Sequence, residues 1–134
     1  MNKEKLTELY KKYNLTKEDV FKHQHYVIIT RTGIEKIEAQ EKIQIQYTLE
    51  KAETNFAVVK AFGELNGKEM QTFGSAYKGP SYKDGNTNTW YVAEMAEKRA
   101  FSRIVLKLTG FYALGVFGED ESEDFKQKIK TIKE

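Results

Sequence analysis

The chain has no cysteine, which excludes a disulfide framework and a zinc–thiolate site. It has two histidines, His23 and His25. A His-x-His pair on a strand points both imidazoles the same way, but two ligands do not make a site, so no metal is expected. No apolar run approaches the ~20 residues of a membrane span. Met1-Asn2-Lys3-Glu4-Lys5 leads into a polar segment and not an apolar signal region, so the expected location is the cytoplasm. The Gly-rich phosphate loop, the nucleophile elbow and the catalytic triad are also missing. Without them the expectation is a protein that is not an enzyme and carries no cofactor.

What remains fits one domain of 134 residues, with a core at about 22–117 and an acidic segment with a short amphipathic tail at 118–134. Net charge is +2, but Glu119, Asp120, Glu121, Glu123 and Asp124 place five acids in six positions. Setting those five aside leaves +7 on the remainder. A basic body with a separate acidic segment is a pattern of nucleic-acid binders and also of ordinary soluble proteins.

Leu6, Leu9, Tyr10 and Tyr13 have helical spacing over residues 3 to 13. Asn14 to Glu18 reads as a break, and Tyr26 to Thr30 as extended. Thr32-Gly33-Ile34-Glu35 has capping-box spacing and predicts a short helix to about Gln40. Ile43, Ile45, Tyr47 and Leu49 alternate with polar residues, the period of a strand. Phe56 to Leu65 gives a second strand, Asn66-Gly67 a hairpin turn, and Glu69 to Tyr77 a third strand. Lys78 to Thr89 is a twelve-residue loop, a length that is uncommon without a function. Thr89 then caps a helix from about Trp90 to Thr109, ended by Gly110. Phe111 to Phe117 reads as an apolar connection, and Phe125, Ile129 and Ile132 as a thin helical seam. The predicted class is α+β: a three-stranded antiparallel meander with a long helix across one face, a β-β-β-α core. Ile43, Ile45, Tyr47 and Leu49 should face the helix through Ala96, Ala100 and Ile104.

The long helix carries the most chemistry. Arg99, Arg103 and Lys107 fall at i, i+4 and i+8, so they project from one flank about 6 Å apart and can follow a phosphate backbone. The plainer alternative is a solvated helix face. Glu97 should be partly buried and paired with a base such as Arg31 or Lys60. Tyr77, Lys78, Tyr82, Lys83, Trp90 and Tyr91 interleave aromatics with lysines, as a base-stacking site does. Of these, Trp90 reads as a core anchor and Tyr82 as exposed. The acid block reads as a solvated segment that opposes DNA or docks a basic partner.

Trp90-Tyr91-Val92-Ala93-Glu94-Met95-Ala96-Glu97-Lys98-Arg99-Ala100-Phe101-Ser102-Arg103 and its continuation to Gly110 resembles the "AE-x-RA-x-x-R" helix of phage recombination proteins. These are the Erf-like and Sak-like single-stranded DNA annealing proteins, distantly akin to the eukaryotic annealing mediator of homologous recombination. Thr32 to Ile37, leading into Ile43-Gln44-Ile45, and the ending Gly118-Glu119-Asp120-Glu121 are similar to the same family. The resemblance covers roughly residues 22 to 125. It implies a β-β-β-α core that assembles into rings or filaments, with single-stranded DNA in a basic groove. By position it implies phosphate contacts at Arg99, Arg103, Lys107, Lys78 and Lys83, beside the exposed Tyr82. The modest basic excess departs from that pattern and leaves a plain single-strand binder as a variant. The rival expectations are a phage accessory protein acting through segment 119–124, and a metal-dependent nuclease using the acids.

Overall fold

The computed structural model describes residues 3–23, 25–80 and 84–121. Two three-stranded sheets and three α-helices make an α+β fold. In chain order the elements are α1 (Lys3–Lys12), β1 (Val20–His23), β2 (Tyr26–Ile29), α2 (Arg31–Glu41), β3 (Gln44–Ala52), β4 (Phe56–Leu65), β5 (Lys68–Tyr77), α3 (Val92–Thr109), a 3-10 turn (Tyr112–Leu114) and β6 (Val116–Gly118).

The meander is as the sequence predicts. β4 lies between β3 and β5, and both pairings are antiparallel. The β4–β5 hairpin turns at Asn66 and Gly67, whose φ values of 53° and 81° are the left-handed pair that a two-residue hairpin needs. A bulge between Leu49 and Lys51 interrupts the β3–β4 register.

Small residues set where α3 lies. Ala57, Val59, Ala61 and Gly63 on β4 share one face with Thr72, Gly74 and Ala76 on β5, and all seven are buried. A Cβ built on Gly74 would fall on the Ala96 carbonyl and the Ala100 amide, and one on Gly63 would come within 2.8 Å of Leu108 Cδ1. The helix backbone therefore rests almost directly on β5. Ala96, Ala100, Ile104, Val105 and Leu108 are buried beneath it.

That seat corrects one expectation. Ile43 is buried and Ile45 partly so, but α3 sits over β4 and β5 and barely reaches β3. Tyr47 and Leu49 share the helix-side face yet stay uncovered, and Leu49 is 56% exposed. The helix follows the small residues, where it can come closest, and not the strand with the cleanest alternation. Partial burial, then the nearby Glu97 and Glu38 carboxylates, push the Tyr47 phenol up to about 12 against the pull of Arg31.

The second sheet departs further from the sequence reading. β1 pairs antiparallel with β2, and β6 pairs parallel with β2. The stretch read as an apolar connection after Gly110 is thus a 3-10 turn and a strand. Three residues of strand leave too little alternation to read. α2 also starts one cap earlier than Thr32 suggests: Thr30 Oγ1 accepts from the Gly33 N–H at 3.1 Å. α3 begins at Val92, and Gly110 ends it with φ 91°. The acids Glu123 and Asp124 and the apolar seam Phe125, Ile129 and Ile132 lie outside the described residues.

Candidate nucleic-acid interface

The basic line on α3 divides into two buried or half-buried arginines and one lysine. Arg99 is 2% exposed. Its Nη1 donates to the Ser75 carbonyl at 2.8 Å, its Nη2 to the Asn86 carbonyl at 2.6 Å, and its Nε to the Asp120 carbonyl at 3.2 Å. Arg103 donates from Nη1 to the Phe73 carbonyl at 2.8 Å and from Nε to Glu121 Oε1 at 2.6 Å. Phe73 and Ser75 lie two residues apart on β5, the edge strand of its sheet. Two residues of strand span ~6.8 Å and one helical turn ~5.4 Å, so arginines at i and i+4 reach carbonyls at i and i+2. Asn86 continues the seal. Its amide N–H donates to the Tyr77 carbonyl at 2.9 Å, and its Oδ1 accepts from the Tyr77 N–H at 2.7 Å.

Arg99 is therefore corrected from a phosphate ligand to an internal brace, because its donors are committed to carbonyls inside the fold. Arg103 is half-buried and held between a strand carbonyl and a carboxylate. Spacing showed correctly that the arginines share a flank. It could not show that the flank meets a sheet edge. Lys107 is the third of the line. Its Nζ stands 5.4 Å from the Tyr112 ring centroid, and among the described residues it has no carboxylate partner.

The first three acids of the block are also part of the fold. Glu119 Oε1 accepts from the Arg31 N–H at 3.0 Å, at the first turn of α2, where a carboxylate complements the helix dipole. Asp120 Oδ2 accepts from Ser102 Oγ at 2.8 Å and pairs with Arg31 Nη1 at 3.3 Å. Glu121 is buried against Arg103. Residues 119–121 are thus counter-ions to α2 and α3 and not a solvated run. Glu97 is exposed, and the two bases expected for it pair elsewhere, Arg31 with Glu35 and Asp120, and Lys60 with Glu50. Among the described residues no three His, Cys, Asp or Glu side chains come together as a metal site.

The groups open to a ligand lie at the other end of α3. Trp90 is 62% and Tyr91 69% exposed, which corrects the reading of Trp90 as a core anchor. Val92 is the first buried residue of the helix, so the two rings stand just outside the seat of α3. Lys78 Nζ lies 4.4 Å from the Trp90 ring centroid, a cation–π contact. Tyr77 ends β5 beside it and meets Phe56 edge-on, ring centroids 6.1 Å apart. The backbone here is fixed: the Lys78 N–H donates to the Asn55 carbonyl at 2.8 Å, and the Tyr91 N–H to Thr89 Oγ1 at 3.2 Å. Tyr82 and Lys83 lie outside the described residues. The result is a corner with three solvent-facing aromatics and an ammonium, on a braced strand end. Such a corner can stack bases and hold a phosphate.

No protein-family model, curated protein or solved structure matches this chain. Among the described residues no helix is long and apolar enough to cross a membrane.

Proposed function

We propose that this protein binds single-stranded DNA and promotes strand annealing, without catalysis, as a cytoplasmic homo-oligomer in a ring or filament. The observation that carries the binding is the exposed Trp90–Tyr91 pair with the Lys78 ammonium over the indole. Large aromatic rings left in water beside a lysine suit base stacking, which tolerates any sequence because every base has a π face. Lys78 and Lys107 supply phosphate contacts, with Tyr77 as a third ring. The annealing and the assembly rest on the resemblance of the Trp90–Gly110 stretch to phage annealing proteins.

Trp90 is the single tryptophan of the chain, so its emission reports directly on this corner. A single-stranded oligonucleotide should quench it more than a duplex does, and anisotropy at two salt concentrations should show weaker binding at the higher one. Trp90→Ala should lower affinity by about 1–3 kcal/mol, the scale of one stacked base, for all sequences alike. Unquenched emission with no salt-dependent binding overturns the reading.

A further inference from the structure

We propose that the outer face of the β3–β4–β5 sheet, turned away from α3, is covered by a second copy of this chain packed face to face about a two-fold axis. Strand alternation puts Phe56 and Phe62 of β4 and Phe73 and Tyr77 of β5 on this face, opposite the buried alanines and glycines. Phe73 is 46% exposed, and Phe62 and Tyr77 are also among the exposed large hydrophobic residues. Four aromatics on one side of two paired strands form an apolar patch of the kind that marks an interface.

The charges select the occupant. Glu64 and Glu69 stand directly opposite each other across β4 and β5, an arrangement that destabilises a sheet. Among the described residues neither has an ion-pair partner. Lys60 and Lys51 on the same sheet already hold Glu50 at 3.6 Å and Glu53 at 3.4 Å. The face therefore has no uncommitted cation to offer a nucleic-acid phosphate, and its hairpin end repels one.

Against itself the same face is complementary. Lys60 and Glu64 lie two residues either side of Phe62 on β4. At ~3.4 Å per residue each is about 7 Å from it, in opposite directions along the strand. A two-fold axis lying between the sheets, across the strands and through Phe62, therefore sets Lys60 of each copy over Glu64 of the other. The lone carboxylate gains an ammonium, which has three donors and spends one on Glu50. The aromatics close against their own equivalents. This deepens the assembly part of the reading above and is independent of its DNA-binding part.

Sedimentation equilibrium of the full chain over a range of concentrations tests it. The wild type should associate, and Phe62→Glu and Phe73→Glu should each weaken association at least tenfold while circular dichroism keeps the fold. Lys60→Glu and Glu64→Lys should each weaken association, and the double variant carrying both should recover it, since the exchanged pair is rebuilt across the axis. That rescue keeps the test decisive should a phenylalanine variant fail to fold. A monomeric wild type, unchanged mass in the single variants, or a double variant no better than the singles overturns the proposal. Unchanged mass with lowered melting temperature in Phe73→Glu would give the face to this chain's own tail, and unchanged mass with lost oligonucleotide binding would give it to DNA. Trp90 quenching is read in the same samples, so failure of self-association and failure of DNA binding are told apart.

Discussion

Arg99 and Trp90 lie nine residues apart at the start of one helix, and their environments are the reverse of what their side chains suggest. The guanidinium is buried at 2% exposure, and the indole stands 62% in water. Arg99 can be buried because three backbone carbonyls accept its N–H groups, and those carbonyls sit at a strand edge and two loops that would otherwise lack donors. Trp90 falls before the first buried residue of α3, beyond the reach of the sheet. Hydrogen-bond satisfaction decided the first position and the limit of the helix seat decided the second. Hydropathy decided neither. The comparison also separates two jobs: the β5 edge is closed against pairing with another chain, and the corner beside it is left open.

The harshest way to break the closed region is at the helix seat. Gly74→Val drives a side chain into the α3 backbone at Ala96 and Ala100. It should cost about 4 kcal/mol or more, because backbone on both sides must shift. Denaturant unfolding measures this, and a midpoint near wild type would show that α3 can slide.

Arg99→Met keeps the length and apolar stem but leaves the Ser75, Asn86 and Asp120 carbonyls without that donor. The expected loss is about 3 kcal/mol. If instead the variant were as stable as wild type and bound oligonucleotides less well, Arg99 would return to the phosphate line. Trp90→Ala, by contrast, should leave stability within about 0.5 kcal/mol while it weakens binding.

Asp19 tests the same buried-charge logic in the N-terminal region. Its carboxylate is 2.7 Å from Lys36 Nζ and accepts from the Thr16 N–H at 2.9 Å. Burial works against its charge, but Lys36 and Thr16 outweigh that and hold its pKa below the ordinary value. A lowered folded pKa means the stabilisation is complete above the unfolded value of ~3.9 and is lost as pH falls through the folded one. Asp19→Asn should cost about 1–2 kcal/mol at neutral pH and flatten the acid limb of the stability curve. A stability curve that matches wild type through the acid range would remove Asp19 from the set.

The smallest effect is expected at Lys107. Its ammonium meets only the Tyr112 ring, so Lys107→Ala should change stability by no more than about 0.5 kcal/mol. If it touches one phosphate, the salt slope of oligonucleotide binding should fall by about 0.7. An unchanged slope confines the interface to the Lys78–Trp90 corner.

The sequence by itself determined the β-β-β-α core. Period-two strands, Asn66-Gly67 and Gly110 are local signals, and local backbone preferences are enough to read them. It also determined that Arg99, Arg103 and Lys107 share one helical flank. What that flank faces was a tertiary decision. Gly63 and Gly74 drew α3 onto β4 and β5, which turned two arginines toward a strand edge and left Tyr47 and Leu49 uncovered. β6 returned to β2 and set Glu119, Asp120 and Glu121 against α2 and α3. A charge's role depends on what it meets across 13 to 89 positions of chain, from Asn86–Arg99 to Arg31–Asp120. Such distant encounters leave no periodicity in the sequence, and so the acids read as solvent-facing and the arginines as free.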